Sequence, residues 1–264
     1  MVYTDILYEK RDGVAVVTMN RPEVLNAFRA QTVEEMIEAF QDAWADRDIG
    51  AVILTGSGER AFCTGGDQSI REEGGYQGKP ALSDVGIDVE DLHRLIRDIP
   101  KTVIAAVNGY AIGGGHVLHV VCDLTIAAEH AIFGQVGPKV GSFDPGFGTA
   151  YLARVVGEKK AREIWLLCRR YSAVEAKEMG LVNKIVPKEQ LMDEALTWAK
   201  EAAAMSPTAV KFVKASFNMD TEHIRGIGNL GIRGLALYYG TEESLEGRNA
   251  FLERRKPDFT KFRK

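Results

Sequence analysis

The chain reads Gly109-Tyr-Ala-Ile-Gly-Gly-Gly-His116 shortly after the apolar segment Val103-Ile-Ala-Ala-Val107, and this stretch is the most informative part of the sequence. Glycines that open a helix after a buried strand let the backbone come close to a ligand. The free N–H groups and the positive end of that helix then face developing negative charge. The stretch therefore predicts a strand, a turn and a helix that supply one half of an oxyanion hole.

A second glycine turn, Phe62-Cys-Thr-Gly-Gly-Asp67, follows a strand predicted over residues 50–55. N–H donors from two separate turns can hold one carbonyl oxygen while it becomes an enolate. Taken alone, each cluster is equally typical of a tight turn or of a close contact between helix and strand. Neither has the spacing of a Walker loop or of a dinucleotide site, so a phosphate cradle is not expected.

Composition is typical of a folded protein of enzyme size. The chain has 264 residues, 45% of them hydrophobic, which is enough to bury a substantial core. A formal net charge of −4 argues against nucleic-acid binding. No apolar run approaches the roughly 20 residues of a membrane span, and no secretory leader is visible. The widely spaced Cys63, Cys122 and Cys168 are expected to be reduced thiols outside any metal site, as in a cytoplasmic protein.

Apolar segments of the chain alternate with amphipathic ones, without internal repeats. Strands are predicted at 50–55, 103–107, 124–127 and 182–186. Their alternation with helices indicates a largely parallel sheet with right-handed crossovers. Only helices are predicted after about residue 190. A change of composition near Pro187 places our boundary between a core at 1–187 and a helical region at 188–264.

Local signals mark several element ends. The Asp12-Gly13 pair predicts a hairpin turn. Thr32 and Glu35 form a capping-box pattern at the start of one amphipathic helix, and Ser172 and Glu175 form the same pattern at another.

The order and spacing of several motifs resemble the crotonase (enoyl-CoA hydratase/isomerase) superfamily over nearly the whole chain. The motifs are Asn20-Arg-Pro-x-x-x-Asn-Ala27, Ala61-Phe-Cys-Thr-Gly-Gly-Asp67, Gly109-Tyr-Ala-Ile-Gly-Gly-Gly115 and Phe133-Gly-Gln135. The resemblance implies an α/β fold, a crotonase-like spiral of ββα units with a C-terminal helical region that completes the site and forms homotrimers or homohexamers. It also implies an acyl-CoA thioester as substrate, no tightly bound cofactor, and an oxyanion hole with Gly66 and Gly114 as donors.

Two positions depart from the hydratase pattern of that superfamily. Enoyl-CoA hydratases carry one acid two places after the glycine triplet and another two places after the Phe-Gly-Gln motif. This chain has Val117 and Gly137 there, and neither residue can transfer a proton. Hydration of a double bond is therefore not expected, nor is the isomerisation that uses an acid at the second place.

The segment 133–146 is instead similar to two sister groups, the 1,4-dihydroxy-2-naphthoyl-CoA synthases and the 2-ketocyclohexanecarboxyl-CoA hydrolases. This resemblance implies that Asp144 and Tyr239 are catalytic. Substrate-binding roles are implied for Arg29, Gln68, Arg71, Tyr76, Gly137, Ser142, Phe251 and Arg254. From the residues alone, Asp144 before Pro145 also fits a turn or a helix cap, and Tyr76 also fits a loop aromatic.

Val136 and Ser69 favour the hydrolases over the synthases, which usually have threonine and lysine at these places. Val136 lacks the hydroxyl that would help to bind bicarbonate as a base. The sequence therefore predicts hydrolytic opening of a cyclic β-keto thioester, 2-ketocyclohexanecarboxyl-CoA, to pimeloyl-CoA. The alternatives are a naphthoyl-CoA synthase that closes a ring in o-succinylbenzoyl-CoA, with bicarbonate as base, and a non-catalytic acyl-CoA-binding protein.

Two pairs of neighbouring residues carry simpler expectations. His116 and His119 have no acidic partner in the pattern, so core or interface packing is expected rather than a metal site. Tyr238 and Tyr239 are adjacent on a predicted helix, so at most one of them faces the site.

Overall fold

The computed structural model of the protein describes residues 3–72, 75–76 and 82–263. Its strands are β1 Ile6–Arg11, β2 Val14–Met19, β3 Ala51–Gly56, β4 Ala61–Cys63, β5 Arg71–Glu72, β6 Gly75–Tyr76, β7 Thr102–Val107, β8 Tyr110–Ile112, β9 Leu124–Ala128, β10 Ile132–Gly134, β11 Arg170–Ser172 and β12 Lys184–Val186. Its helices are α1 Ala30–Ala45, α2 Val89–Asp98, α3 Gly114–Val121, α4 Leu152–Val156, α5 Glu158–Leu167, α6 Ala173–Glu178, α7 Leu191–Ala203, α8 Pro207–Met219, α9 His223–Tyr239 and α10 Glu242–Leu252. A π-helical turn spans Phe147–Tyr151. No helix within these ranges is long and apolar enough to cross a membrane.

The larger sheet has six strands in the order β1-β2-β3-β7-β9-β12. β1 runs antiparallel to β2, and each later pair of neighbours is parallel. The hairpin turns at Asp12 and Gly13, whose φ angles of 52° and 78° lie in the left-handed region. The predicted hairpin and the largely parallel sheet are therefore confirmed.

The chain moves between two sheets as it winds. The smaller sheet has four strands in the order β11-β10-β8-β4. Each of β3, β7 and β9 in the larger sheet is followed by a short strand of the smaller sheet, namely β4, β8 and β10, before the next helix. This succession confirms the α/β fold with ββα units. It also sets β4 beside β8, in parallel, so that their ends lie together.

Buried aliphatic and aromatic residues cover both faces of the larger sheet. Phe40 of α1 and Leu92 of α2 belong to a fully buried cluster on one face. Ala195 of α7 lies in a second cluster, with Ile53 of β3. α7 thus packs on the main sheet although it follows residue 187, and the division of the chain at that residue stays a prediction.

The start of α1 differs from the sequence-based expectation. The capping-box prediction at Thr32 and Glu35 is wrong, because α1 already begins at Ala30. Thr32 Oγ1 instead donates to Asp5 Oδ2 at 2.6 Å, and Glu35 Oε2 accepts the Asp5 N–H at 2.7 Å. Contacts with the segment before β1 occupy both side chains.

The second predicted capping box is confirmed at the start of α6. Glu175 Oε2 accepts the Ser172 N–H at 2.8 Å, and Ser172 Oγ accepts the Glu175 N–H at 3.3 Å. Each side chain satisfies a backbone donor that the helix itself leaves unpaired.

Candidate active site

The two glycine turns lie against each other at the ends of β4 and β8. Gly65 and Gly113 have φ angles of 85° and 59°, in the left-handed region that favours glycine. A Cβ at Gly65 would lie 2.8 Å from the Gly114 nitrogen. A Cβ at Gly115 would collide with the carbonyl group of Cys63. This close approach of the two turns therefore requires glycine.

The N–H groups of Gly66 and Gly114 are both available to a ligand. Phe28 forms an isolated parallel bridge with Gly66. In that bridge the Phe28 N–H donates to Gly65 at 2.8 Å, and the Phe28 carbonyl accepts the Asp67 N–H at 2.9 Å. Gly114 is the first residue of α3, where the helix supplies no acceptor. Neither N–H has an acceptor among the described residues, and both glycines line one cavity.

The cavity in front of these donors has a volume of about 560 Å³, which is typical of a small-molecule site. The residues of the predicted site that line it are Gly66, Gln68, Tyr76, Gly114, Gly137, Ser142, Asp144, Tyr239 and Phe251. Much of the remaining lining is apolar and comes from Phe28, Val85, Ile87, Val136, Phe143, Trp165, Ile232 and Leu235. The fold thus brings together most of the residues that the resemblance implies.

Asp144 supplies a carboxylate to this cavity. Its Oδ1 accepts the Gly148 N–H at 3.1 Å, so the residue also caps the π-helical turn that follows it. Burial raises the pKa of Asp144 to about 6. The electrostatic effect of His93 opposes this rise in pKa, and that of Glu90 adds to it. A carboxylate with this pKa can exchange a proton near neutral pH.

Tyr239 ends α9 and meets the loop that carries Asp144. Its hydroxyl oxygen lies 2.8 Å from Ser142 Oγ. The guanidinium carbon of Arg71 lies 4.6 Å from the centre of its ring, a cation–π arrangement. The neighbouring Tyr238 packs on Phe143 instead, with 5.6 Å between ring centres. Tyr239 is therefore the member of the pair that reaches the cavity.

Tyr76 lies beside the Gly66 donor. Gln68 Nε2 donates to the Gly66 carbonyl at 3.0 Å and to the Tyr76 hydroxyl at 3.2 Å. The rings of Tyr76 and Tyr239 meet edge to face, with 6.1 Å between their centres. Burial raises the pKa of Tyr76 well above its usual value, so the phenol stays protonated and can donate a hydrogen bond.

Arg71 lies beneath the cavity rather than in its lining, with an exposed fraction of 1%. Its Nη1 and Nη2 donate to the carbonyl oxygens of Gly141 and Ser244 at 3.2 and 3.1 Å. Arg71 therefore joins the loop that follows Gly137 to α10 and presents its charge to the ring of Tyr239.

Arg29 and Arg254, both predicted to bind substrate, lie outside the cavity lining. Arg29 makes a bidentate pair with Asp5, in which Nε–Oδ2 and Nη2–Oδ1 both measure 2.7 Å. Arg254 is exposed beyond the end of α10, whereas Phe251 on the last turn of that helix lies at the rim.

The two positions where hydratases carry acids have different surroundings. Val117 is fully buried in the core. Gly137 lines the cavity. A Cβ at Gly137 would lie 2.7 Å from the carbonyl oxygen of Ser142 and 2.8 Å from the ring of Trp165.

Two side-chain pairs behind the site were not anticipated from the sequence. Arg21 Nη2 lies 3.1 Å from Asp67 Oδ2. His93 Nδ1 lies 3.4 Å from Glu90 Oε2 within α2. Each pair nevertheless has a feature that is visible in the sequence. Arg21 belongs to the 20–27 motif, and Glu90 and His93 have the i, i+3 spacing of neighbours on a helix.

His116 and His119 pack in the core, as expected. Their ring centres lie 4.9 Å apart, edge to face. His116 Nδ1 lies 3.3 Å from Gln135 Nε2, and burial lowers the pKa of His116 to about 3, so this histidine is neutral. In the described part of the chain, no group of three or more His, Cys, Asp or Glu side chains could hold a metal ion.

Comparison with known proteins agrees with the fold and the motifs. The profile of a family described as enoyl-CoA hydratase/isomerase matches residues 9–262. An enoyl-CoA hydratase from Mycobacterium avium subsp. paratuberculosis K-10 is similar with a TM-score of 0.87 and 27% identity, over 98% of this chain and 100% of that one. An enoyl-CoA hydratase/isomerase from Xanthobacter autotrophicus Py2 is similar with a TM-score of 0.81 and 32% identity, over 96% and 94% of the two chains. The protein therefore belongs to the enoyl-CoA hydratase/isomerase, or crotonase, family.

Proposed function

We propose that the protein opens the ring of a cyclic β-keto acyl-CoA thioester by hydrolysis, converting 2-ketocyclohexanecarboxyl-CoA to pimeloyl-CoA. One observation carries this proposal: the Asp144 carboxyl group, with its pKa raised to about 6, lines the same cavity as the free N–H groups of Gly66 and Gly114. A base and an enolate-binding site are the two groups that hydrolytic cleavage beside a thioester needs.

The residues of this chain argue against the hydration named in its solved relatives. Those relatives include enoyl-CoA hydratases. By resemblance, hydration uses two acids at places that here hold Val117 and Gly137. Asp144 offers its carboxylate from a different point of the loop, so water would be directed to a different carbon of the acyl group.

The first step is attack of water on the ring ketone. Asp144 orients the water within the cavity and accepts its proton. The ketone oxygen becomes an alkoxide, to which the Tyr239 hydroxyl donates a hydrogen bond. The hydroxyl of Tyr239 is in turn held by Ser142 at 2.8 Å.

The second step breaks the bond between the former ketone carbon and the α-carbon of the thioester. Its electron pair passes into the thioester and forms an enolate, whose oxygen binds the N–H groups of Gly66 and Gly114. The α-carbon then takes back the proton from Asp144, and the former ketone carbon becomes a carboxylic acid. One water has been added and no oxidant or cofactor is consumed.

The synthase alternative also has a specific observation in its favour. Tyr76, Arg71 and Tyr239 form one contiguous group, with Arg71 over one ring and the two rings edge to face. The same oxyanion hole would support an enolate of o-succinylbenzoyl-CoA during ring closure. Val136 supplies no hydroxyl for a bicarbonate base, which favours the hydrolase.

For the rest of the substrate, we assign the CoA portion to the side of the cavity at α10. Phe251 lies at the rim there, and Arg254 follows it beyond the helix. An exposed guanidinium can make charge-assisted hydrogen bonds to phosphate.

We also propose that the chain forms homotrimers, paired as dimers of trimers. Large apolar side chains of α8 and α9, Phe217, Met219, Leu230 and Leu237, have exposed fractions between 74% and 80%. Apolar surface of this kind is typical of a face that another subunit covers. Light scattering after size-exclusion chromatography tests this assembly, and a monomeric mass would contradict it.

A single assay separates the candidate functions. The protein is incubated with 2-ketocyclohexanecarboxyl-CoA and, separately, with o-succinylbenzoyl-CoA, and the products are identified by mass. Addition of one water to the first compound, unaffected by removal of bicarbonate, is the expected result. Conversion of the second compound alone identifies a synthase, and binding of either without turnover identifies a non-catalytic protein.

A further inference from the structure

A pair of titratable residues lies buried in α2, one turn apart on the face that looks inward. Glu90 has an exposed fraction of 7% and His93 of 0%. His93 Nδ1 lies 3.4 Å from Glu90 Oε2. The other buried residues of α2 are Leu92 and Ile96, both fully buried, and Arg97, with an exposed fraction of 5%. Burial of two polar side chains at these places costs free energy that packing alone would not explain.

Each member of the pair also has a buried atom without a partner. Glu90 Oε1 and His93 Nε2 have no hydrogen-bond partner among the described residues. Buried polar atoms are nearly always satisfied, so a pair of exceptions in one contact needs an explanation beyond packing.

The pair lies against the loop that carries Asp144. Glu90 packs so closely on Gly228 of α9 that a Cβ there would collide with its carboxylate. Gly146 packs on the same glycine, and its own Cβ would lie 2.8 Å from the Gly228 nitrogen. On the other side, the ring of His93 meets that of Phe147 edge to face, with 6.2 Å between centres.

Two further charged groups near this pair, Arg97 and Arg225, already have partners. Arg97 of α2 lies 4.1 Å from the centre of the Tyr151 ring and donates to Thr221 Oγ1 at 2.8 Å. Arg225 of α9 pairs with Asp98 at the end of α2.

We propose that the Glu90–His93 pair positions Asp144 and sets the charge on its carboxylate. Both residues would be positioning residues, since neither lines the cavity. Their role in turnover rests on the ring-opening reaction proposed above, whereas their coupling to Asp144 is a property of the free protein.

The two members of the pair act on Asp144 with opposite signs. The electrostatic effect of Glu90 raises the pKa of Asp144 and that of His93 lowers it, on top of the larger effect of burial. Neutralising Glu90 should therefore let Asp144 ionise at lower pH. Replacing His93 should make Asp144 ionise at higher pH.

The test compares Glu90→Gln and His93→Gln in the pH profile of kcat/KM for the cyclic thioester. The acidic limb is expected to move to lower pH in Glu90→Gln and to higher pH in His93→Gln, each by roughly half a pH unit or more. Asp91→Asn is the matched control, because Asp91 is the neighbouring acid on the same helix and pairs with Arg94 at 3.1 Å instead. Its profile should not move. A purely structural role would reduce the rate in both variants without moving the limb in opposite directions.

A second measurement separates this inference from the proposed function. The Asp144 carboxyl is titrated by ¹³C NMR in protein with labelled aspartate and no substrate, with Asp144→Asn to assign the signal. If the pKa of Asp144 shifts in opposite directions in Glu90→Gln and His93→Gln but the cyclic thioester is not turned over, the positioning role holds and the proposed substrate is wrong. Normal turnover with no shift in the pKa of Asp144, or with shifts in the same direction in both variants, would contradict the positioning role of the pair. His93→Asn serves in the same measurement if His93→Gln does not fold.

Discussion

Arg21 Nη2 lies 3.1 Å from Asp67 Oδ2, directly beyond the N–H donor of Gly66. The two side chains have exposed fractions of only 12% and 8%. Arg21 also donates to the Ala27 carbonyl at 2.5 Å, and the Asp67 N–H donates to Phe28 at 2.9 Å. The pair therefore holds Asp67, the residue after one oxyanion donor, against the segment that carries Ala27 and Phe28.

Asp67→Asn is expected to lower kcat by about 10²-fold, because a misplaced donor weakens binding in the transition state more than binding of substrate. KM should change little. Asp12→Asn, which removes an exposed partner of Lys200, is the control and should behave as wild type. Steady-state kinetics decide the matter, and an unchanged kcat in Asp67→Asn would mean that this pair does not hold Gly66.

Gly114→Pro removes the second predicted donor at the first position of α3. Loss of one oxyanion donor is expected to lower kcat by about 10²–10³-fold. A Cβ at this place would also lie 2.6 Å from the ring of Phe28, so Gly114→Ala, which keeps the N–H, is the control for crowding. Gly114→Pro should be much slower than Gly114→Ala. Equal rates in the two variants would reject the donor role.

The pH profile of the wild-type protein should reflect Asp144. Because the base must be ionised and its pKa is raised to about 6, kcat/KM should fall about tenfold for each pH unit below 6. Asp144→Asn should lose roughly 10²–10⁴-fold in kcat and lose this acidic limb. An active Asp144→Asn enzyme with the same limb would assign the base elsewhere.

The same carboxylate should reduce stability at high pH. Its pKa in the folded protein lies above the ordinary value of 3.8, so ionisation between pH 4 and about 6 places a charge in a buried site. Asp144→Asn should therefore raise the free energy of unfolding by roughly 2 kcal/mol at pH 8 and change it little at pH 4. Urea unfolding at both pH values measures the difference, and a variant less stable at pH 8 would contradict the assigned pKa.

Gly247 of α10 lies against the loop before Asp144. A Cβ there would collide with the Gly141 nitrogen and lie 2.6 Å from the Val140 carbonyl carbon. Gly247→Ala should displace this loop, cost about 1–3 kcal/mol of stability and lower kcat. Gly226→Ala in α9 is the matched control, since no described atom lies within 4 Å of its Cβ. The free energy of unfolding of the control should rise by about 0.5–1 kcal/mol. Equal kinetics in the two variants would mean that α10 does not position the loop before Asp144.

The sequence was sufficient for the fold and for the glycine turns because these depend on local chemistry. Gly65 and Gly113 have conformations that favour glycine, and the alternation of apolar strands with amphipathic helices leaves a parallel sheet as the simplest arrangement. These features can be read from a short stretch of chain without knowledge of its partners.

Side-chain partners from distant segments could not be predicted in the same way. Arg29 makes a bidentate pair with Asp5, which lies 24 residues earlier in the chain. Thr32, predicted as the N-cap of α1, lies at the third position of that helix, where its hydroxyl accepts the Arg29 N–H at 3.2 Å and donates to the same aspartate. The pairing of Glu90 with His93 has a helical spacing, but its proximity to Asp144 depends on how α2 and α9 pack around that loop.

The crowding around Gly137 prevents a single substitution from placing an acid at this position, where the resemblance to hydratases would put one. An acid at this place would need a Cβ only 2.7 Å from the Ser142 carbonyl oxygen and 2.8 Å from the Trp165 ring, one of them backbone and the other a large buried side chain. Gly137→Glu alone therefore cannot recreate the missing acid without moving the whole segment up to Asp144. The path of the main chain from Gly137 to Asp144 leaves no room for a side chain at this place, so introducing an acid here requires exchange of the whole loop rather than a point substitution.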